Sequence, residues 1–106
     1  MPRFESKIDV RSEAEYSGAM GYPCDARQGH IPGAVNLDVN VLASLDREAL
    51  LVAVGAPAGA AVIAYCHSGA RSAQAVAALT TAGYAARNYT GSWHEWSADP
   101  ALPIAR

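Results

Sequence analysis

The chain is poor in several things at once, and each shortage excludes a class of protein. Only two cysteines, Cys24 and Cys66, stand among the 106 residues, which allows at most one bridge and rules out a disulfide-built scaffold. Charged residues make up 17% of the chain against 51% hydrophobic residues, a balance that rules out intrinsic disorder. There is no basic excess: the net charge is −2 at pH 7, so the electrostatic footprint of a nucleic-acid binder is missing. No apolar run approaches the roughly 20 residues that span a bilayer. The start, Met1-Pro2-Arg3-Phe4-Glu5-Ser6-Lys7, lacks the apolar stretch of a secretory signal. Low-complexity tracts, linkers and internal repeats are also absent. These absences predict one domain over residues 1–106, cytoplasmic, with neither nucleic acid nor membrane as a partner. A chain of this length buries about two-thirds of its unfolded surface, enough for one core.

What is present alternates between short apolar runs and helical patterns. Lys7-Ile8-Asp9-Val10-Arg11 reads as a strand ending in charge, and Ser12-Glu13-Ala14-Glu15-Tyr16 opens with a capping-box signature. Residues 18–33 carry Gly, Pro and Asp at short intervals and predict a long loop, of the kind that tends to be functional. A short strand is expected at Ala34-Val35-Asn36-Leu37, and a helix from Asp46 to Val54 stopped by Gly55. The continuous apolar run Ala60-Ala61-Val62-Ile63-Ala64-Tyr65 fits a central parallel strand buried on both faces. An alanine-rich helix over Ser72 to Ala82, closed by Gly83, and a weak last strand at Ala85 to Tyr89 complete the pattern. Strands alternating with helices predict an α/β domain with a mostly parallel central sheet flanked by helices on both faces. In such sheets ligands bind at the carboxyl ends of strands, which directs attention to the segments after Arg11 and after Tyr65.

Directly after the apolar run comes Cys66-His67-Ser68-Gly69-Ala70-Arg71-Ser72. Gly69 permits a tight curl and the small Ser68 and Ala70 leave room for it. A loop so curled turns successive N–H groups inward as an anion nest, reinforced by the dipole of the following helix. Arg71 adds a permanent cation. All three favour thiolate over thiol, so Cys66 is the candidate nucleophile. The bland alternative is a small apolar core residue, but a core plug has no use for the glycine and the arginine. Arg71 is either part of this site or a solvated residue at the helix start, and the His67 ring points either in or out. Cys24, in the long loop, is either incidental or a resolving thiol. Trp93, His94 and Trp96 read as packing of the last element onto the core rather than as ligand contacts.

Four segments together resemble the rhodanese-homology, or sulfurtransferase, domains: Ile8-Asp9-Val10-Arg11-Ser12-Glu13-Ala14-Glu15-Tyr16, Gly29-His30-Ile31-Pro32-Gly33-Ala34-Val35-Asn36, Tyr65 to Ser72, and Asn88-Tyr89-Thr90-Gly91-Ser92-Trp93-His94-Glu95-Trp96. Gly-Ser-Trp and the insert between Tyr16 and Gly29 look more like the catalytic carboxy-terminal half of two-domain thiosulfate sulfurtransferases. The resemblance implies a rhodanese-like fold and ping-pong sulfur transfer with no metal and no organic cofactor. A small anionic donor such as thiosulfate would load Cys66 as a persulfide, and a thiophilic acceptor, cyanide or a thiol, would unload it. His67, Ser68, Gly69, Ala70, Arg71 and Ser72 would form the substrate-binding loop, with Arg71 holding the sulfonate. Asp9 and Arg11 would either brace the loops or form a plain structural salt bridge, and His30 would anchor its turn.

The alternatives are a sulfur-carrier or redox-sensing module with little thiosulfate turnover, and, further off, a phosphatase or arsenate reductase. Related cell-cycle phosphatases carry one residue more between cysteine and arginine than the four here, His67 to Ala70, and the smaller loop suits one sulfur atom better than a phosphoryl group. Mercaptopyruvate-specific members carry an arginine where Glu15 stands, which places mercaptopyruvate behind thiosulfate as donor. Members usually have a further strand and helix before the Asp-Val-Arg segment, whereas seven residues precede Ile8 here. The expectation is either a sheet short of an edge strand, with a homodimer as one way of covering the edge, or a start in which another element replaces that strand.

Overall fold

The computed structural model describes residues 6–106. In chain order these form β1 (Ser6–Asp9), α1 (Glu13–Ser17), β2 (Val35–Asn36), α2 (Val39–Ser44), α3 (Arg47–Val54), β3 (Ala61–Tyr65), α4 (Ala70–Thr81), β4 (Ala85–Asn88) and α5 (Ser92–Ala98). The sheet has the order β2-β1-β3-β4 and every pairing is parallel. The apolar run therefore sits in the middle of the sheet, where both its edges are paired. The outer strands are β2, only two residues long, and β4.

Successive strand residues point to opposite faces, and they divide the interior in two. Ile8, Val10, Val62, Ala64 and Cys66 face one way, where Leu42 of α2, Leu50 and Val54 of α3, and Ala75 and Leu79 of α4 complete a hydrocarbon core. Tyr65 faces the other way and packs with Ile31, Ala34 and Trp93 of α5, with Tyr16 of α1 against them. Helices thus cover both faces, as the α/β pattern predicts.

The local signals explain most ends. Ser12 caps α1 with its side chain accepting from the Glu15 amide while Glu15 reaches back to the Ser12 amide, a reciprocal capping box. Asp46 caps α3, and Gly55 ends it in the left-handed region. The alanine-rich helix begins at Ala70, two residues earlier than its composition indicates, because the curl at Gly69 leads straight into it. Two helices are not announced by the sequence. In α2, Val39 and Val41 carry β-branched side chains that disguise a helix capped by Asp38. In α5 no side chain caps the start, which follows Gly91.

Candidate active site

The site is assembled from the carboxyl ends of β1 and β3. Cys66 is the first residue past β3 and is 1% exposed. Its Sγ accepts the Gly69 amide at 3.0 Å and lies 3.4 Å from the Ser72 hydroxyl. Burial pushes the thiol up; the Ser72 hydroxyl and the amides of Ser72, Gly69 and Ser68 outweigh it and bring the thiol down to about 7. The nest expected from the sequence is present, and the sulfur is in it. Gly69 makes the curl possible: its φ is +102°, and a Cβ there would meet the Thr90 carbonyl oxygen at 3.0 Å.

The loop is held from outside by α5 and β4. The Ser92 hydroxyl accepts the Cys66 amide at 3.1 Å and donates to the Tyr89 carbonyl at 2.7 Å. The amides of Trp93 and His94 donate to the carbonyls of Cys66 and His67. These carbonyls are thereby turned away from the sulfur, which leaves the N–H side of the loop to face it. Ser92 does this at φ +52°, a left-handed conformation uncommon outside glycine. Asn88 fixes the other side: its Nδ2 donates to the Gly69 carbonyl and its Oδ1 accepts from Ser72 at 2.6 Å. The single Ser72 proton is therefore shared between Asn88, the Gly69 carbonyl at 3.2 Å, and the cysteine sulfur.

The remaining expected residues fall into place unevenly. Ser68 and Ala70 are exposed on the loop, and Ser72 is buried beneath it. Arg71 is not a free cation: its guanidinium makes a two-pronged bond with Glu15 at 2.8 and 3.0 Å. Burial pushes the Glu15 carboxyl up, but Arg71 and the Ser12 amide more than offset this and hold it at about 2. The same pairing raises Arg71. His67 points out toward the long loop, its Nε2 2.9 Å from the Asp25 carboxylate and its ring stacked on Tyr22 at 3.8 Å. A cavity of about 250 Å³ lies beside these groups, lined by Ser12, Glu15, Met20, Gly21, Tyr22 and Pro23.

Asp9 and Arg11 are a buried pair, 2.7 Å apart and no more than 1% exposed. Burial works against the Arg11 charge, yet its bonds to Asp9 raise it overall. The pair braces as well as pairs. Arg11 donates to the Gly29 carbonyl and lies over the rings of Trp93 and Tyr65 at 5.1 and 5.8 Å, and Trp93 is the residue whose amide holds the Cys66 carbonyl. Tyr65, between them, has a phenol pushed well above its ordinary value by burial and by Asp9, and it accepts the Ile31 amide. His30 anchors its turn as expected, with Nδ1 2.7 Å from the Tyr16 carbonyl and its amide bonded to the Ala105 carbonyl. Trp93 is fully buried, half-buried Trp96 packs beside it, and His94 is exposed. Sequence reasoning missed Ser92, Asn88 and Asp25. Asn88 and Ser92 both lie in the last of the four segments, but the reach of Asn88 to the loop and the left-handed backbone of Ser92 leave no mark in composition.

A parallel α/β sheet that delivers a buried, amide-ringed cysteine to the start of a helix defines a nucleophilic-loop domain. The chain belongs to the rhodanese-like domain family, whose model matches residues 4–99. It is 39% identical over 107 residues to a putative thiosulfate sulfurtransferase, SseB, of Mycobacterium tuberculosis, covering 93% of this chain and 37% of that protein. It is 34% identical over 115 residues to the sulfur carrier protein TtuD of Thermus thermophilus, covering 93% of this chain and 40% of that one. A crystal structure of a probable thiosulfate sulfurtransferase superposes with a TM-score of 0.86 at 43% identity, over 98% of this chain and 44% of that one. The chain spans about two-fifths of the length of these relatives. No helix among the described residues is long and apolar enough to cross a membrane.

Proposed function

We propose that this domain is a thiosulfate-type sulfurtransferase that carries a sulfane sulfur on Cys66. The observation that carries the reading is the Cys66 Sγ seated on the Gly69 amide and beside the Ser72 hydroxyl, in a loop whose carbonyls are tied outward by α5. The Cys66 thiolate attacks the outer sulfur of thiosulfate. The bond from that sulfur to the sulfonate sulfur breaks, its electron pair leaves with sulfite, and Cys66 becomes a persulfide. The terminal sulfur is anionic, and the Ser68, Gly69 and Ser72 amides stabilise it as they stabilise the thiolate. Cyanide or a thiolate then attacks the terminal sulfur, and the electron pair of the S–S bond returns to Cys66. Each half is nucleophilic displacement at sulfur and needs no general base.

Ser68, Gly69, Ala70 and Ser72 supply the cradle in this reading, while His67 and Arg71 border the approach to it. Arg71 guides the anionic donor with a charge that Glu15 partly neutralises, so the amide ring rather than the guanidinium does most of the anion holding. Asp9 and Arg11 are positioning residues acting through Trp93. A cysteine only 1% exposed suits a small donor. Mixing the protein with thiosulfate and cyanide should give thiocyanate, and the persulfide form should weigh one sulfur atom more than the free protein. Cys66→Ala should abolish both; thiocyanate formation surviving in that variant would overturn the reading. The resemblance to a sulfur carrier supports a second reading, in which Cys66 takes its sulfur from a protein persulfide. Rapid loading from such a donor with slow thiosulfate turnover would favour it.

A further inference from the structure

Outside the amide ring, four donor groups converge, none of which reacts in the sulfur chemistry. Cys24 and Asp25 of the long loop, His67 of the active loop and His94 of α5 each present one ligand atom, and all four atoms lie within 4.8 Å of one another. Asp25 is the hub. Its carboxylate is 1% exposed, and a single oxygen, Oδ1, meets His67 Nε2 at 2.9 Å and His94 Nδ1 at 2.8 Å. Two ring nitrogens aimed at one buried carboxylate oxygen form the arrangement that a cation between them satisfies. The donors are also held in place: the Asp25 amide closes a turn onto the Tyr22 carbonyl, and Tyr22 stacks on the His67 ring. Cys24 and His94 are exposed, which leaves an entry path from solvent.

We propose that Cys24, Asp25, His67 and His94 form a binding site for a borderline-soft divalent cation, with Zn²⁺ as the fitting ion. One thiolate, two imidazoles and one carboxylate make a four-coordinate set of the zinc type. In a tetrahedral zinc site the ligand atoms sit about 3.3–3.6 Å apart, given metal–ligand bonds near 2.0–2.3 Å. The two imidazoles need to part from Asp25 by about half an ångström, and a gap as wide as 4.8 Å closes by roughly 1.2–1.5 Å. Binding displaces the Cys24 proton, and each neutral imidazole keeps its single proton on the far ring nitrogen, Nδ1 of His67 and Nε2 of His94, so that the lone pairs of His67 Nε2 and His94 Nδ1 face the metal. Such an ion ties the active loop, the long loop and α5 together at a point one residue from Cys66. The site is independent of the sulfur-transfer reading, since none of its donors reacts in that chemistry.

The test uses the Cys66→Ala chain, in which Cys24 is the sole thiol. Titrated Co²⁺ should bind one equivalent, with a thiolate-to-cobalt charge-transfer band and the intense d–d bands of a four-coordinate ion, and Zn²⁺ should displace it. In that background Cys24→Ser should erase the charge-transfer band. Either Cys24→Ser or His94→Ala should weaken Zn²⁺ by on the order of 100-fold, no less than outer-shell losses cost at other zinc sites. Should a variant fold poorly, alkylation of Cys24 in the Cys66→Ala chain should abolish the band just as well. Failure to take up Co²⁺ at micromolar protein, or uptake indifferent to Cys24→Ser and His94→Ala, would overturn the proposal.

Discussion

On the α2–α4 side of the sheet, Ile8, Val10, Val62, Ala64, Leu42, Leu50 and Leu79 bury hydrocarbon against hydrocarbon. On the α1–α5 side, Tyr65 and Trp93 share the interior with a guanidinium, a carboxylate, an imidazole and a serine hydroxyl, contributed by Arg11, Asp9, His30 and Ser92. The first side is held by non-directional burial, which tolerates repacking. The second depends on partners: nearly every buried polar group there has a named acceptor or donor, and removing one strands the other. Cys66 lies at the seam. Its sulfur borders the hydrocarbon core while its backbone is gripped from the polar side through Ser92 and Trp93. Stability and site geometry are therefore expected to come apart under mutation, according to which side is struck.

The largest effect belongs to the polar side. Asp9→Asn leaves Arg11 buried without its counter-charge and should cost about 3–5 kcal/mol, the usual penalty for breaking a buried pair from one end. Because Arg11 underlies Trp93, the variant should also lose sulfur-transfer activity at temperatures where it remains folded. Urea unfolding read alongside thiocyanate formation checks both halves. Leu79→Ala, on the hydrocarbon side at 0% exposure, should cost about 3 kcal/mol through the cavity it leaves. Below its unfolding transition it should keep kcat/KM within about twofold, since Leu79 lies about two turns along α4 from Ser72 and shares only the hydrocarbon cluster with Cys66. If both variants lost activity equally relative to their stability, the division of labour between the two faces would be wrong.

The same division decides what the sequence made legible. Features built from neighbours in the chain were readable: the apolar run of β3, the Ser12–Glu15 capping box, the Asp46 and Gly55 ends of α3, and the Cys66-to-Ser72 loop that curls on itself. Features built by the fold were not. Asn88 reaches the loop from β4, and Asp25 meets His67 and His94 across separations of 42 and 69 residues. Ser92 is in a quoted motif, but its role rests on a left-handed φ that composition does not encode. Arg71 stood in the expected place with an unexpected partner: Glu15 belonged to the capping box in the sequence, and in three dimensions it serves Ser12 and Arg71 together.

That double duty gives the smallest effect. The Glu15 carboxyl sits at about 2 in the folded protein against about 4.3 in an unfolded chain, so its pKa is depressed and the linkage runs in the carboxylate sense. Its contribution is complete above the unfolded value and is lost as pH falls from about 4.5 towards 2. Arg71 is about one-third exposed, so solvent screens the pair and its worth is set at roughly 1 kcal/mol. Glu15→Gln should then be less stable than the parent by that amount at pH 7, with the two converging near pH 2 in urea titrations. Activity should move the other way. With the carboxylate gone, Arg71 presents its full charge to an anionic donor, and the KM for thiosulfate should fall about fivefold at low salt, the equivalent of the same roughly 1 kcal/mol. A KM that rises instead would mean that Glu15 holds Arg71 in its working position rather than competing for it, and the guanidinium would then belong with the amide ring as a direct donor contact.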